Sequence, residues 1–572
     1  MHLKDLNAKL TLIILCLIVF GASLEFSFLA WDDDVNIVQN TWFESGHFFD
    51  FLKKPYFGLY IPVPYLLWGF LYRSQIPPEP SLFHAVNLLI HCANTLQVFW
   101  LIHTLLKETR QESHAKTQLN SQLTLSAGIA ASVFCIHPLQ VEPVCWISGM
   151  RDLLSGFFSL LACHGYVRGQ KSRSHTARFG FESGVIISSL LALLCKPQAI
   201  ILPLLLWTLG GSLGPHAPSA QHRFSKAQSL SLLIWGTLLG LTLWVNHQAQ
   251  SSYFVPPSPL INRPLLAIDA LGFYVKKTLL PLQLSADYGR TPEQVMDDGL
   301  TLIHIVIFAL TLAGLFCIRG RNRTILTGAQ FFFLAFLPVL GLIPFGFQST
   351  STVADRYAYL PILGFSLLIG AILKQQNSKK LNLLALGLLA MTATLSFHRS
   401  SVWKEDSVFF TDMALKNPKS VSALLSLGNL KQKAGDSEEA LRYFQRAHEL
   451  KPDHPAGLAN WALALKRLKK FDVILQKISP LLSETQAQSI SPENRVYLAA
   501  LYEAQGVALL EKGDHEKSRH SLCLAKALDP LSSEVSVPLQ KIQDHSFKST
   551  HRQQDPVPPP CPEFLRLTPD PR

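Results

Sequence analysis

The sequence has little charge for its length. Only 16% of its 572 residues are Asp, Glu, Lys or Arg, while 48% are hydrophobic. A soluble globular protein carries about 25% charged residues. The deficit is local, because the long apolar runs lie before residue 400 and the charges collect in the loops and the C-terminal part. This distribution argues against an ordinary soluble enzyme and favours a membrane protein.

The sequence also lacks CxxC cysteine pairs, and it has fewer acidic residues than basic ones. None of the nine cysteines forms a CxxC pair and most lie in apolar runs, so we predict small buried hydrophobic residues, without a disulfide framework or zinc site. The net charge is +11. The basic residues lie in short loops between apolar runs, which predicts membrane orientation and not nucleic-acid binding.

Apolar runs long enough to cross a membrane recur through the first 400 residues. A span needs about 20 mostly apolar residues. Eleven candidates lie at 11–30, 82–106, 122–136, 152–168, 181–195, 197–209, 229–246, 299–317, 325–344, 357–373 and 381–397. Lys196-Pro197 separates the two short runs at 181–195 and 197–209, which predicts a broken or re-entrant pair. The first run exceeds a signal-peptide core of about 7–15 residues, so we interpret it as a span.

The distribution of Lys and Arg between alternate loops predicts the orientation. The set of loops that begins with residues 1–10 is richer in these residues than the set that begins with 31–81. Basic loops stay on the cytoplasmic side. Eleven spans then place the N-terminus inside and the C-terminal part outside.

The C-terminal part follows a 34-residue period typical of tetratricopeptide repeats. Residues 421–454 match it at Leu424, Leu427, Gly428, Ala440, Phe444, Ala447 and Pro452. Residues 499–532 repeat the frame with Gly506, Ala525 and Pro530, and a degenerate repeat with Trp461 and Ala462 lies between. Stacked helix pairs form a groove that suits extended peptides, with a purely structural role as the alternative.

These patterns predict an all-α protein, a polytopic bundle followed by a repeat solenoid. We place a membrane domain at 1–400 with an outer loop at 31–81, a linking segment at 401–420 and about three repeats at 421–545. A polar, proline-rich tail at 546–572 is predicted to be disordered.

Three adjacent carboxylates, Asp32, Asp33 and Asp34, follow the first span directly. Such a cluster at a membrane boundary is costly unless it is solvated, metal-bound or functional. A partly desolvated carboxylate can act as a general base because its pKa rises towards neutrality. Asp32 and Asp33 are therefore the candidate catalytic residues, with a solvated end of the span as the alternative.

Further polar residues collect in the loops of the same predicted face. The candidates for contact with a substrate are Asp34, His84, Glu142, Arg151, Asp152, Lys196, Asp287, Tyr288, Arg356 and Tyr357. A basic group among them suits a phosphate. For any one of them, snorkelling or an ion pair within the bundle is the alternative.

One helical stripe carries four polar residues, His84, Asn87, His91 and Asn94. Hydrogen bonds between helices explain the stripe better than a metal, because no carboxylate or thiolate shares it. We predict no metal ligand, and dependence on a divalent cation stays open.

Several motifs occur in a fixed order before the repeats: YIPVPYLLWGF, FHAVNLLIHCANTL, HPLQVEPVCWISGMRDLL, LLCKPQAIILPLLL, LSADY and ADRYAYLP. As an ordered set they resemble the transmembrane and tetratricopeptide-repeat-containing glycosyltransferases. The resemblance runs from about residue 25 to 535. It implies a C-type glycosyltransferase fold and, since the repeat region is short, a bacterial member.

The resemblance also implies a reaction and roles for the residues. Asp32 and Asp33 match the family's acidic pair, and Lys196 and Arg356 become candidates for the carrier phosphate. The resemblance implies a polyprenyl-phosphate sugar as the donor, with mannose as the sugar that the eukaryotic members use, and it names no other cofactor. A single displacement by an acceptor hydroxyl, with inversion at the anomeric carbon, follows from this chemistry.

The implied partners are the lipid-linked donor, membrane lipids and an acceptor protein or peptide bound by the repeats. The alternatives are a transferase of the same fold that acts on an envelope glycan or lipid, and a non-catalytic membrane scaffold. The expected location is the bacterial cytoplasmic membrane with the site facing the periplasm, and the alternative is the endoplasmic reticulum membrane.

Overall fold

The computed structural model describes residues 3–44, 47–108, 116–213, scattered residues between 236 and 249, 258–297, 300–318, 322–482, 494–542 and 561. Over these residues the regular structure is helical, and the only β pairing is an isolated bridge between Tyr56 and Leu59. The predicted all-α class is confirmed. The chain divides into two compact units, Met1–Asp412 and Met413–Arg572, and the division falls inside the predicted linking segment 401–420.

The first unit is a bundle whose helices differ widely in length. Its helices of ten or more residues are α1 (Leu3–Phe20), α2 (Pro62–Ser74), α3 (Pro80–Glu108), α4 (Lys116–Ile136), α5 (Met150–Lys171), α6 (His175–Cys195), α7 (Leu202–Gly211), α8 (Arg263–Leu279), α9 (Leu300–Ile318), α10 (Arg323–Ala335), α11 (Pro361–Gln376), α12 (Lys379–Ser400) and α13 (Asp406–Lys416). Between them lie short helices, including Val141–Cys145 and the 3₁₀ turns Ile147–Gly149 and Asp355–Ala358, which carry Glu142, Arg356 and Tyr357 of the candidate site.

Among the described residues, four helices are long and apolar enough to cross a membrane: Asp5–Glu25, Pro80–Lys107, His175–Cys195 and Lys379–Trp403. A fifth crossing results if Ser121–Ile136 and Pro138–Cys145, which meet at 49°, form one broken span. Shorter apolar helices occur at Pro197–Gly211, Thr301–Cys317, Arg323–Val339 and Pro361–Gln376. The count of eleven spans stays a prediction, and most of the run 229–246 lies outside the described residues.

The break at Lys196 lies where the sequence placed it. Lys196 is extended, with φ −158° and ψ 126°, and Pro197 opens a 3₁₀ turn that leads into α7. The residue before a proline avoids the α conformation, so α6 ends at Cys195. This interruption brings a lysine into the middle of an apolar pair of helices.

Glycines allow α10 and α11 to approach closely. A Cβ added to Gly364 would lie 2.4 Å from the backbone nitrogen of Phe332, and one added to Gly328 would lie 2.8 Å from the Gly364 carbonyl oxygen. Small residues at such crossings let two backbones meet without a hydrophobic driving force from water. This crossing fixes the start of α11, directly after the turn Asp355–Ala358.

The outer loop folds into its own aromatic cluster. Phe43, Phe51, Tyr65 and Trp68 are buried there, and the Phe51 and Tyr65 rings stack with centroids 4.7 Å apart. Met150, at the start of α5, belongs to the same cluster. The loop that follows the acidic residues is therefore held against the start of α5 by apolar burial.

The second unit is built from helix pairs. Its helices of ten or more residues are α14 (Val421–Lys433), α15 (Ser437–Leu450), α16 (Pro455–Arg467), α17 (Arg495–Glu511) and α18 (His515–Leu528). After α16 the chain forms the short helix Phe471–Val473 and a π-helical turn, Ile474–Ile478, in place of a regular second helix. This irregular pair is the predicted degenerate repeat.

Small residues sit where the two helices of a repeat touch. A Cβ on Gly428 would lie 2.4 Å from the Phe444 ring, and one on Gly506 would lie 2.6 Å from Leu522. The turns between paired helices need a left-handed residue, which is Gly435 at φ 86° and Gly513 at φ 84°. In the middle repeat Lys469 occupies this turn at φ 56°.

The cysteines depart from expectation at one pair. Cys523 in α18 forms a disulfide with Cys561, so the prediction that the chain lacks a disulfide was wrong for these two residues. The sequence gave no spacing signal because the partners are 38 residues apart, in a helix and in the proline-rich tail. The other cysteines in the described chain are free, and Cys317 is exposed.

Candidate functional site

The acidic turn is anchored by its second carboxylate. Asp33 is buried, and its Oδ1 accepts hydrogen bonds from the Ser148 backbone N–H at 2.9 Å and the Ser148 hydroxyl at 2.6 Å. Its Oδ2 accepts the Leu29 N–H at 3.1 Å. Burial raises the pKa of Asp33 to about 7, although these donors oppose the shift. Asp33 therefore ties the end of the first span to the turn Ile147–Gly149.

Asp32 presents its carboxylate differently. Its side chain is 33% exposed, and Arg151 Nη2 donates to its Oδ2 at 3.3 Å. Burial raises the pKa of Asp32, while the Arg151 charge opposes the rise. Its backbone φ of 126° lies in a region that side-chain-bearing residues rarely adopt. Such strain persists only where the surroundings impose it, and it is concentrated at functional sites.

A buried ion pair joins the short helix Val141–Cys145 to the turn Asp355–Ala358, which precedes α11. Arg356 Nη1 donates to Glu142 Oε1 at 2.6 Å, and the Arg356 backbone N–H donates to Oε2 at 3.0 Å. Both side chains are less than a tenth exposed. Because both carboxylate oxygens and both kinds of donor are used, the guanidinium is held in one orientation.

A second close pair lies beside it. Lys196, from the break between α6 and α7, donates to Asp152 Oδ1. The ammonium lies 5.1 Å from the centre of the Tyr357 ring. A cavity of about 20 Å³, room for about one water, is lined by residues that include Asp152, Lys196, Arg356 and Tyr357.

Two aromatic rings connect the three cations. The Trp146 ring centre is 4.8 Å from the Arg151 guanidinium and 5.7 Å from that of Arg356. Tyr357 in turn lies 5.1 Å from both Arg356 and Lys196. The structure thus brings together three carboxylate–cation pairs, Asp32–Arg151, Glu142–Arg356 and Asp152–Lys196.

The long segment after α8 reaches this cluster through one residue. The Tyr288 hydroxyl donates to Asp355 Oδ1 at 2.6 Å. Burial, reinforced by the nearby Glu142 charge, raises the pKa of Asp355 to about 7. Asp287 instead accepts the Gly289 N–H at 2.7 Å, a contact within its own turn. Tyr288 therefore borders the cluster, while the described bond of Asp287 is local.

Two of the predicted site residues make no described hydrogen bond or ion pair with the three carboxylate–cation pairs. His84 is buried in α3 with its ring centroid 6.0 Å from that of Phe26. Asp34 is half-buried and begins the π-helical turn Asp34–Val38. Neither shares a described contact with Arg151, Lys196 or Arg356.

Sequence reasoning missed Ser148 and Trp146. Ser148 holds Asp33, and Trp146 lies between two guanidinium groups. Neither side chain is ionisable, so charge within an apolar sequence does not reveal these two residues. Their position between Glu142 and Arg151 was the available signal.

One group in the bundle has metal-ligand character. The donor atoms of Cys16, His91 and Cys135 lie within 4.8 Å of one another, so thiols from two other helices approach the α3 stripe, although none belongs to it. Both ring nitrogens of His91 already have partners, the Tyr359 hydroxyl at 3.0 Å and the Cys135 carbonyl oxygen at 2.9 Å. These bonds between helices are those that the stripe predicted.

The other polar residues of the stripe make similar contacts. Asn87 Nδ2 donates to the Trp146 carbonyl at 2.9 Å, and Asn94 Nδ2 donates to the Leu153 carbonyl at 2.9 Å. The Trp146 ring lies beside the guanidinium groups of Arg151 and Arg356, so the Asn87 hydrogen bond connects the stripe to the charged cluster.

Chemically, the cluster combines one partly exposed carboxylate with three cations in a largely buried setting. A carboxylate with a raised pKa can accept a proton from a hydroxyl. Guanidinium and ammonium groups can stabilise negative charge on phosphate oxygens. The arrangement is suited to displacement of a phosphate leaving group by a hydroxyl.

The tetratricopeptide repeat family matches residues 421–454. Protein O-mannosyl-transferase TMTC3 of Homo sapiens is 24% identical over 429 residues, which cover 68% of this chain and 45% of that protein. Protein O-mannosyl-transferase TMTC4 of Homo sapiens is 25% identical over 429 residues, 67% of this chain and 57% of that protein. Tmtc3 of Drosophila melanogaster is 25% identical over 475 residues, 72% and 50%.

The chain spans about half the length of the curated relatives it matches. No solved structure matches it. The motifs, the helical membrane unit, the repeat match and the relatives agree. The chain is similar to the TMTC protein O-mannosyl-transferases over about two thirds of its length and carries a tetratricopeptide repeat.

Proposed function

We propose that this chain is a membrane glycosyltransferase that moves a sugar from a polyprenyl-phosphate donor to a hydroxyl of an acceptor protein, with mannose as the first sugar to test. The observation that carries the proposal is Asp32, a strained and partly exposed carboxylate beside the three cations. The names of the relatives support mannose and a protein acceptor.

Asp32 is the proposed general base. Its carboxylate takes the proton from the acceptor hydroxyl as the oxygen attacks the anomeric carbon. The bond from that carbon to the phosphate oxygen breaks, so the configuration inverts and the lipid phosphate leaves. Asp33 is proposed to position this turn, because its oxygens are already engaged by Ser148 and Leu29.

The leaving phosphate is proposed to bind where the cations converge. Arg151 is the first contact, since its partner Asp32 is the exposed carboxylate. Lys196 and Arg356 are the further candidates, each paired with a buried carboxylate. Phosphate is a good leaving group, so no separate general acid is required.

The repeats are proposed to bind the acceptor polypeptide and to raise its local concentration at the transferase unit. A site outside the cytoplasm, in a periplasm or in the lumen of the endoplasmic reticulum, fits the Cys523–Cys561 disulfide, because disulfides persist in oxidising compartments. The basic loops predicted for the cytoplasmic side give the same orientation.

The test is transfer of radiolabel by the purified protein. It receives radiolabelled polyprenyl-phosphate mannose, or the corresponding glucose donor, with a membrane extract as the acceptor pool, with and without a divalent-cation chelator. We expect label on protein with the wild type. Asp32→Asn should reduce the rate at least 100-fold, since general-base catalysis contributes about 10²–10⁴.

Arg178→Gln is the matched control, because this arginine forms an ion pair with Glu182 away from the cluster. It should leave the rate unchanged. Label on lipid or glycan would replace the protein acceptor with an envelope molecule. A rate for Asp32→Asn equal to the wild type, or no transfer with any donor, would contradict the proposed enzyme and favour a scaffold.

A further inference from the structure

The second unit contains a cavity of about 780 Å³. One wall is the face of α17 that carries Tyr502, Gln505 and Leu509, spaced at helical i, i+3 and i+7. A second wall is the adjacent face of α18 that carries Lys517, His520 and Leu524. The volume lies within the range of about 300–1,000 Å³ typical of ligand sites.

A covalent bond leads into this cavity. Cys523, on the α18 wall, is buried and is joined to Cys561 by the disulfide. The tail therefore returns to the repeat unit at Cys561, which the described residues show to be half-buried. A chain segment held at the wall has a far higher local concentration than any free peptide.

The sequence around Cys561 has the chemistry that such a cavity accepts. Residues 555–564 read DPVPPPCPEF. Consecutive prolines favour an extended polyproline II chain, which loses little conformational entropy on binding. Val557 and Phe564 match the apolar side chains Tyr502, Leu509 and Leu524.

Charge is complementary at the rim. The α18 wall carries the basic residues Lys517, Arg519 and His520, together with one acidic residue, Glu516. The segment carries Asp555 and Glu563. Opposite charges at the rim fix the register of a bound chain more than they add affinity.

We infer that this cavity is a peptide-binding groove whose occupant is the chain's own C-terminal segment, residues 555–564, tethered through Cys523–Cys561. This segment competes for the groove with any external polypeptide of the same kind, which is extended, proline-rich and acidic. The inference concerns the repeat unit alone and does not depend on transferase activity.

The experiment uses the full-length protein, purified in detergent without reductant. A non-reducing digest analysed by mass spectrometry should contain the peptide pair linked through Cys523 and Cys561. The probe is a fluorescent peptide, DPVPPPSPEFLR, with serine in place of the cysteine. Its binding is followed by fluorescence anisotropy.

Four full-length proteins are compared. The wild type and the control Cys317→Ser, which changes an exposed cysteine outside the second unit, should exclude the probe equally. The triple variant Cys561→Ser/Glu563→Lys/Phe564→Ala removes the tether and two contacts of the segment, and should bind the probe at least tenfold more tightly. Adding Lys517→Glu should then weaken binding at least threefold.

Any one of three results would overturn the inference. The first is that the wild type yields no linked peptide pair. The second is that the probe binds the wild type as tightly as the triple variant, and the third is that the triple variant does not bind the probe. The substituted tail residues follow the last described helix of the repeats, α18, in the sequence, so loss of folding is not expected to confuse the comparison.

Discussion

The two units of this chain hold their helices together by different means. In the repeat unit, equivalent positions of one 34-residue frame do the same work, as Gly428 and Gly506 do at the helix contacts. In the membrane unit the decisive contacts are single polar bonds between distant residues, such as Asp33 with Ser148, 115 residues apart. Periodic contacts can be found by counting along a sequence, whereas isolated polar bonds cannot.

The largest effect should come from removing a partner of a buried ion pair in the membrane unit. Glu142→Ala leaves the Arg356 guanidinium buried without its carboxylate, which costs about 3–5 kcal/mol. Chemical unfolding in detergent micelles measures the loss. Glu182→Ala is the control, because its pair with Arg178 is partly exposed and contributes at most about 0.5 kcal/mol. Equal losses in the two variants would mean that burial does not govern this unit.

A pH titration tests the second buried carboxylate. The folded pKa of Asp33 is raised from 3.8 to about 7, so its contribution to stability is fully present below pH 3.8 and is lost as the pH rises towards 7. Relative to Asp33→Asn, the free energy of unfolding of the wild type should fall by up to roughly 4 kcal/mol across that window.

The control for this titration is Val38→Ala, which changes an exposed side chain without a titratable group on the neighbouring turn. The difference in the free energy of unfolding between the wild type and Val38→Ala should stay constant across the same pH range. A flat difference for Asp33→Asn as well would contradict the raised pKa.

In the repeat unit, the close helix contact can be overfilled. Gly428→Ala places a Cβ 2.4 Å from the Phe444 ring, and the shift needed to relieve it should cost about 1–3 kcal/mol. Gly457→Ala adds the same methyl group 3.7 Å from His454, an ordinary contact, and should be neutral or slightly stabilising. Thermal unfolding of both variants makes the comparison, and a neutral Gly428→Ala would show that the two helices separate easily.

The smallest effect should have the opposite sign. Lys469 sits at a left-handed turn position where the first and third repeats have glycine. Lys469→Gly should therefore stabilise the protein by about 0.5–1 kcal/mol, because it relieves the backbone penalty. Gly435→Ala, the reverse change at the equivalent turn, should destabilise it by a similar amount. If both changes destabilise, the middle repeat has its own turn requirement.

The sequence was sufficient for the helical class, the repeat frame and the break at Lys196, because each depends on local period or on a proline. It also offered Asp32, Glu142, Arg151, Lys196 and Arg356 as candidates, since charge in an apolar chain is conspicuous, and the structure brings these five side chains into one cluster. It did not indicate which carboxylate pairs with which cation. The partners lie far apart in the sequence, as Glu142 and Arg356 do by 214 residues, so only the fold brings them together.

The uncharged and covalent partners were beyond sequence reasoning for a physical reason. Ser148 and Trp146 are ordinary residue types whose role comes only from what lies beside them. The Cys523–Cys561 bond needs a fold that returns the tail to α18, which spacing alone does not reveal. The roles of Asp32 and of the cations in a reaction stay predictions until transfer is measured.

The Glu142–Arg356 bond also has a consequence for biogenesis. Synthesis proceeds from the N-terminus, so the segment that carries Glu142 enters the membrane before Arg356 has been made. Until the turn Asp355–Ala358 arrives, the nascent bundle holds an uncompensated carboxylate. A truncated chain that stops before this turn should therefore be degraded faster in cells than the full-length protein.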